Sequence, residues 1–552
     1  MKLVIVGAVA GGASAAARAR RLDEDAEIVL FERGAEPSFA NCGLPYYVGG
    51  VIQQREDLLV APQQRLIDRY RLDVRTHTEV TAVDRQRKVI VVRHLTTGNQ
   101  QEESYDKLIL SPGAAALRPP IAGADLPGVF TLRDLHDADQ LHQAAAHAQR
   151  AVIIGAGFIG LEMVENLVQR GIGTTVVELA DQVLPPWDAE MVLPVADHLQ
   201  EHGVALLLSD AAKAIQEHDG ALLVELNSGK QVPADLVLMC IGVRPENRLA
   251  VDAGLEIGRH GGIRTNRHMQ TSDPDIYAVG DAVEVCHFVD GAAVQIPLAG
   301  PANRQGRIAA DHIFGRDARY RGTQGTAIVG VFDRVAAMTG LSEKTLAAKH
   351  EPFEKVYVHP KHHAGYYPGA QPLSLKLLFH RETGKILGAQ AVGGPGVDKR
   401  IDVLAAAIQA GMTVYDLEEM ELAYAPQFGA AKDPVNLAGF VAAGVLRGDQ
   451  PTVHAAAIVE PTDAAVPFLL DVREPDEFAA GHIPGSVNIS VDQLRARLDE
   501  VPRDRPIIAY CQIGQRGYYA TRLLVQRGFQ AMNLSGGFTT YQAVRRTVSR
   551  QK

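Results

Sequence analysis

Two cysteines stand where sulfur chemistry could be done. Cys42 lies in the run Ser38-Phe39-Ala40-Asn41-Cys42-Gly43-Leu44-Pro45-Tyr46-Tyr47, and Cys511 in Tyr510-Cys511-Gln512-Ile513-Gly514-Gln515-Arg516. The Asn, Gly and Pro around Cys42 make a loop rather than a core strand, which leaves the thiol placed to react. No second cysteine lies near it, so a local intrachain disulfide is excluded. A mixed disulfide, a persulfide or a sulfenic acid remains. Each needs a thiolate, and a lowered thiol pKa is therefore expected. Cys511 follows an apolar strand and opens a loop of small and polar residues ahead of a helix. Backbone N–H groups of such a loop, the helix N-terminus and Arg516 would stabilise first a thiolate and then a persulfide. The other two of the four cysteines read as small core residues: Cys240 ends the apolar strand Leu236 to Met239, and Cys286 follows Gly280-Asp281. No C-x-x-C pair and no zinc spacing is present, so no metal is expected. So few thiols in so long a chain also argue against a disulfide framework.

The elements that must serve these cysteines are visible as two βαβ patterns. In the second, the strand Ala151 to Ile154 precedes Gly155-Ala156-Gly157-Phe158-Ile159-Gly160, a full G-x-G-x-x-G run. A helix follows from Leu161 to Gln169, then a strand Thr174 to Val177 ending at Glu178. Gly155 permits the tight turn, Gly157 lets a pyrophosphate approach the backbone, and Gly160 lets helix and strand pack closely. Glu178 stands where a carboxylate binds a ribose 2′-hydroxyl and would repel a 2′-phosphate, which favours NADH over NADPH. In the first pattern, Lys2 to Val6 leads into Gly7-Ala8-Val9-Ala10-Gly11-Gly12, with Val9 where the middle glycine is expected. An alanine-rich helix follows, then the apolar run Ile28 to Phe31, ending at Glu32 and Arg33.

The length of 552 residues is too great for one core and suggests three or four domains. Hydrophobic content of 46% and charged content of 22% are those of a soluble globular protein. A net charge of −10 without a Lys/Arg block gives no hint of a nucleic-acid surface, and no nucleic-acid partner is expected. Glycines interrupt the apolar N-terminus, and no stretch is long and apolar enough to span a bilayer. The reading is thus cytoplasmic, without membrane association. Beyond residue 322, strand-like runs (Ser374 to Phe379, Ile386 to Ala391) alternate with a helix-like one (Asp398 to Gln409), as in an α+β domain. Residues 447–465 are polar, small and proline-containing and read as a linker. A compact α/β module of short strands (Pro467 to Asp471, Pro506 to Tyr510) and helices closes the chain.

Three further motifs carry a resemblance. Thr271 to Asp281, with Gly280-Asp281 after an apolar strand, resembles the second FAD motif of two-dinucleotide flavoproteins, in which the aspartate binds the ribitol. Ser111-Pro112-Gly113 after Lys107 to Leu110 resembles their connecting motif, and Gly242 closes the corresponding turn of the second unit. Together with the two glycine runs, these resemble the pyridine nucleotide–disulfide oxidoreductase family over residues 1 to about 445. The resemblance implies FAD at 1–118 and 245–321, NADH at 119–244, a dimerisation domain at 322–446 and hence a homodimer. In that family NADH reduces FAD, and FAD passes electrons to a cysteine.

The single cysteine resembles the branch of coenzyme A-disulfide reductases, NADH oxidases and peroxidases, and NADH-dependent persulfide reductases. Gly7 to Ser14, Ser38 to Tyr46, Tyr366 to Gly369, Asp398 to Leu404 and Ala423 to Pro426 look like the coenzyme A-disulfide reductases. From these the coenzyme A shell corresponds to Ser14, Arg18, Arg21, Ser38 and Asn41, with Lys432 as a substrate-binding lysine. Arg18 and Arg21, three apart on one helix face, could hold phosphates. Asn303 falls where one relative carries a histidine. Tyr366 or Tyr367, and Tyr424, correspond to tyrosines reaching in from the partner subunit, with Tyr367 and Tyr424 as the catalytic pair. Residues 466–552, through Asp471 to Phe478, Gly481 to Ser486 and the Cys511 loop, resemble the rhodanese family. The implied activity is NADH-driven, FAD-dependent reduction of coenzyme A persulfide or polysulfide, with Cys42 as redox nucleophile and Cys511 as persulfide carrier. Coenzyme A would be a substrate or a tightly bound carrier. Coenzyme A-disulfide reduction, NADH oxidase or peroxidase activity, and a flavin redox sensor with a docking module are the alternatives.

Overall fold

The computed structural model describes residues 1–461 and 466–551. The apolar runs become buried parallel strands. Lys2–Val6 sits at the centre of a five-stranded sheet, flanked by Glu27–Phe31 and Lys107–Leu110, with Asp73–Arg75 and Ile276–Ala278 at the edges. A second parallel sheet repeats this around Arg150–Ile154, with Gly173–Glu178 and Leu236–Met239 beside it and Ala205–Leu208 and Val129–Phe130 outside. In each sheet the central strand runs straight into a glycine loop and a helix, Ala10–Arg20 or Phe158–Gln169. Strand order reverses at those points, and open parallel sheets bind ligands there. The second helix begins three residues earlier than the sequence pattern suggests, because Phe158, Ile159 and Gly160 already wind as helix.

By compactness the chain falls into two units, Met1–Leu179 with Gly203–Gly325, and Ala180–His202 with the residues from Thr326 onward. The expected 119–244 block is divided between these units, the segment around the helix Ala189–Glu201 packing with the second. A buried cation holds it there. Lys376, fully buried on the strand Leu373–His380, places Nζ 2.8 Å from Asp188 and 2.5 Å from both Glu190 and Glu343. The Tyr357 hydroxyl also donates to Glu190, at 2.8 Å.

The second unit contains an antiparallel sheet in the order Ala327–Val331, Arg334–Gly340, Ile386–Gly393, Leu373–His380, Phe353–Val358. It also contains a parallel sheet in the order Thr452–Val453, Ala531–Leu534, Ile507–Tyr510, Phe468–Asp471, Val487–Asn488. The first of these strands lies inside the stretch read as a linker. Thr452 and Val453 pair with Asn533 and Leu534, so the expected 447–465 linker is in part the edge strand of the last module. Residues 462–465 of that stretch lie outside the described residues. The two sheets are tied by His359, whose Nε2 is 2.8 Å from Thr540 Oγ1, and by the Tyr357 N–H, which donates to Ser535 Oγ. Among the described residues no helix is long and apolar enough to cross a membrane.

Candidate functional site

Cys42 sits in the short 3-10 turn Asn41–Gly43, which runs on into the helix Leu44–Val48. The residue is exposed to solvent. Burial pushes its thiol up, Glu162 and Asp281 add to this, and Arg133 opposes it. In the polypeptide alone the net effect is thus upward, chiefly from burial, with the two carboxylates adding to it. Arg133 is itself committed to Asp281, at 2.7 Å. Asn41 donates weakly from Nδ2 to the Arg133 carbonyl, at 3.4 Å, while its Oδ1 is buried without a partner. A buried, unpaired acceptor is costly unless a ligand donor meets it. Ser38 adopts a left-handed φ of 51° and is pinned by backbone bonds to Ala8 and Ala61.

Next to this loop the expected flavin motifs converge. A Cβ on Gly7 would stand 2.1 Å from the Ser111 carbonyl oxygen, one on Gly11 2.9 Å from Ser111 Oγ, and one on Gly12 1.8 Å from the Gly7 carbonyl oxygen. Gly280 also faces Ser111, and Gly113 takes a left-handed φ of 79°. Only glycine fits such approaches. Val9, in place of the middle glycine, is the residue before the helix, and Ala10 begins it; no side chain caps that N-terminus. Glu32 accepts from the N–H groups of Ala8 and Gly34, at 2.9 and 2.8 Å, which aims it at the loop. Arg33 is held by Glu246 through both terminal nitrogens.

The second loop is built alike. A Cβ on Gly155 would meet the Cys240 carbonyl oxygen at 2.5 Å and one on Gly160 the Gly155 carbonyl oxygen at 2.1 Å, whereas one on Gly157 meets nothing within 4 Å. Open space therefore stands in front of Gly157, at a helix end that no side chain caps. Both loops fit a dinucleotide by this geometry. Glu178 accepts from the Ala156 N–H at 2.7 Å, and Gly242, with a φ of 113°, follows the neighbouring strand. Cys240 packs under this turn, and burial pushes its thiol up to about 12, as befits a core residue. Cys286, expected in the core, is instead exposed on the strand Val283–Cys286, because it is the last residue before the chain turns.

The structure rearranges parts of the expected coenzyme A shell. Ser14 Oγ donates to Asn303 Oδ1 at 2.6 Å. Arg18 is spent on Asp311, at 2.6 Å, and Arg21 is an exposed cap residue one position past the helix Ala10–Arg20. In the second unit, Tyr366 rather than Tyr367 meets Tyr424, with the hydroxyls 2.8 Å apart and both rings exposed. Tyr367 turns its ring against His363. Lys432 is exposed, just ahead of Asp433, whose carboxylate is held by the buried Arg400 at 2.7 Å.

Cys511 lies between the strand Ile507–Tyr510 and the helix Gln515–Gln526 and is 1% exposed. Its loop is clamped from behind by the turn at Gly537: the N–H of Phe538 donates to the Cys511 carbonyl and that of Thr539 to the Gln512 carbonyl. Gly514, at a φ of 92°, opens the helix. Arg516 is held charged by Glu477 and, next, by Cys511, and Glu477 takes both of its terminal nitrogens. The sequence supplied Arg516 but not Glu477, which sits 39 residues away in Asp471 to Phe478.

Residues 1–306 match the family described as pyridine nucleotide-disulphide oxidoreductase, residues 326–433 the dimerisation domain of that family, and residues 455–544 the rhodanese-like domain. The chain is 38% identical over 446 residues to the coenzyme A disulfide reductase of Staphylococcus aureus (strain JH9), covering 80% of this chain and 99% of that protein. It is similar to the crystal structure of reduced Bacillus anthracis CoADR-RHD, with 48% identity, a TM-score of 0.96 and 98% of each chain covered. It is likewise similar to an NAD-dependent persulfide reductase from A. fulgidus, with 37% identity, a TM-score of 0.91, and 98% of this chain and all of that one covered.

Proposed function

This chain belongs to the pyridine nucleotide-disulphide oxidoreductase family, and from that premise we propose that it reduces the sulfur–sulfur bond of a persulfide or polysulfide, coenzyme A persulfide above all, at the expense of NADH. The observation that carries this is the presence in one chain of two cysteines in different settings. Cys42 lies on a solvent-open turn beside the flavin loops, and Cys511 in a closed, clamped loop beside a fixed guanidinium. FAD, once bound, would supply the two electrons taken from NADH. The Cys42 thiolate attacks the outer sulfur of R–S–SH, the S–S bond breaks, and R–S⁻ leaves. Two electrons then split Cys42–S–SH into the thiolate and HS⁻. Glu32, Asp281 and the loops at Gly7, Ser111 and Gly280 would hold FAD. Glu178 and the loop at Gly155 would hold NADH in preference to NADPH.

Ser14, Ser38 and the unpaired Oδ1 of Asn41 are the groups that would meet the coenzyme A thiol arm, with the exposed Arg21 available for its phosphates. Arg18 would join them only by leaving Asp311. The Tyr366–Tyr424 pair is exposed, and a second copy of the chain would cover it, as the dimerisation domain suggests. A second reading, coenzyme A-disulfide reduction, is favoured by the Staphylococcus aureus relative. The test is NADH consumption without oxygen, with coenzyme A persulfide and coenzyme A disulfide at equal concentration. Faster turnover of the persulfide with release of sulfide supports the first reading; faster turnover of the disulfide replaces it with the second.

A further inference from the structure

Three carbonyls of the Cys511 loop are held from behind. The Phe538 N–H donates to the Cys511 carbonyl at 2.8 Å, the Thr539 N–H to the Gln512 carbonyl at 3.0 Å, and Asn533 Nδ2 to the Gly514 carbonyl at 3.1 Å. The Gln512 side chain joins this clamp, its Nε2 donating to Thr539 Oγ1 at 3.0 Å. In a planar trans peptide the C=O and the following N–H point opposite ways. Holding these carbonyls therefore turns the N–H groups of Gln512, Ile513 and Gln515 away from the clamp. The clamp sets the direction of the loop's donors.

The clamp in turn rests on the antiparallel sheet. Gly536 and Gly537 both take left-handed φ values, 68° and 61°. A Cβ on Gly537 would stand 2.3 Å from the Cys511 carbonyl oxygen, and one on Gly536 2.8 Å from the Cβ of Tyr357 and 2.0 Å from Thr540 Oγ1. The two glycines thus lie pressed between the Cys511 loop and the strand Phe353–Val358, which is an edge of its sheet. An edge strand carries N–H groups without a ladder partner. That of Tyr357 donates to Ser535 Oγ at 3.4 Å, while the Tyr357 hydroxyl is anchored on Glu190. His359, just past the strand, closes the bridge. Its Nδ1 is 2.8 Å from Ser374 Oγ on the neighbouring strand, and its Nε2 2.8 Å from Thr540 Oγ1. Burial pushes this imidazole down to about 4, so near neutrality one ring nitrogen donates and the other accepts.

We propose that Tyr357 and His359 are positioning residues for sulfur transfer at Cys511. They act through residues 535–540, which hold the loop's donors in the direction a sulfur anion on Cys511 needs. The last module is then fully competent as a carrier only while seated against the antiparallel sheet. The proposal rests on Cys511 being the sulfur that carries.

The test is thiocyanate formation from thiosulfate and cyanide by the FAD-loaded full chain, without NADH. The Cys511 thiolate attacks the outer sulfur of thiosulfate, the S–S bond breaks and sulfite leaves. Cyanide then takes that sulfur from Cys511–S–S⁻ and restores the thiolate. His359→Leu should lower kcat on the order of tenfold with little change in the KM for thiosulfate, because misdirected donors weaken the transition state more than binding. His359→Gln, which keeps a group able to bond Thr540, should recover most of the rate. Amide exchange read by mass spectrometry should quicken over residues 535–541 in His359→Leu while Phe468–Asp471 stays protected. If that strand loses protection too, the module has come apart, and Thr540→Val, which exchanges only the hydroxyl for a methyl, carries the same prediction. A wild-type kcat in whichever variant stays folded, or an equal loss in His359→Leu and His359→Gln, overturns the proposal. Thiocyanate formation retained in Cys511→Ser would instead remove Cys511 as the carrier, a separate failure that the exchange measurement does not share.

Discussion

Glu477 takes both terminal nitrogens of Arg516 at 2.7 Å each, so the cation beside Cys511 is fixed in direction and partly neutralised. A guanidinium forked on a carboxylate cannot swing. What Arg516 brings to the sulfur is thus an oriented N–H more than net positive potential. Glu477→Gln should loosen that fork and slow persulfide formation on Cys511 about tenfold. NADH turnover with a small persulfide, which needs only Cys42, should stay at the wild-type rate. Sulfide release from polysulfide, measured beside NADH consumption, separates the two.

Cys42→Ser should retain bound FAD, read from its visible absorbance, and lose reduction of persulfides and disulfides alike. Cys511→Ser should impair polysulfide far more than coenzyme A persulfide. Equal losses on both substrates in the second variant would remove Cys511 as a carrier.

Lys376 neutralises three carboxylates in a buried site. Lys376→Met should cost about 3–5 kcal/mol, because Asp188 and Glu190 then lose their buried ion-pair partner and Glu343 keeps only Lys355. The loss is measured as a lower midpoint in denaturant. Acid should act on the same cluster. Burial would raise the Glu343 carboxyl, but Lys376 and Lys355 outweigh it and hold it down at about 2, below its ordinary 4.5. A depressed carboxylate stabilises the fold above its ordinary pKa, and that stability is lost as pH falls toward 2. The stability of Glu343→Gln should fall less steeply over that range.

Glu178 should give NADH the lower KM. Glu178→Ala removes the carboxylate that accepts from Ala156 and would repel a 2′-phosphate. The NADH preference, read as the ratio of kcat/KM values, should narrow by about tenfold. An unchanged ratio would place the discrimination elsewhere.

The parts of the site built from local pattern were readable from residue order alone. The glycine loops, Glu32, Glu178 and both cysteines sit in short runs whose geometry follows from strand, turn and helix. The contacts that arise when distant segments meet were not. The Tyr46–Glu162 bond spans 116 residues and the Lys376–Asp188 contact 188. Nothing near Arg18 announces Asp311, yet that pair decides whether the arginine is available. Tyr366 and Tyr367 are neighbours whose directions only the folded turn separates. Thr452 and Val453 looked like linker because an edge strand of two residues is too short to show alternation.

That short strand has a consequence for moving the sulfur module between proteins. The backbone of 451–453 runs along Ala531–Leu534: the Asn533 N–H donates to the Pro451 carbonyl and the Ser535 N–H to that of Val453. A module cut at residue 466 would leave this row of donors bare, and bare strand edges recruit other chains into aggregates. A cut at about residue 449 carries the covering strand along. The natural seam for grafting or swapping this domain thus lies well ahead of where its most recognisable residues begin.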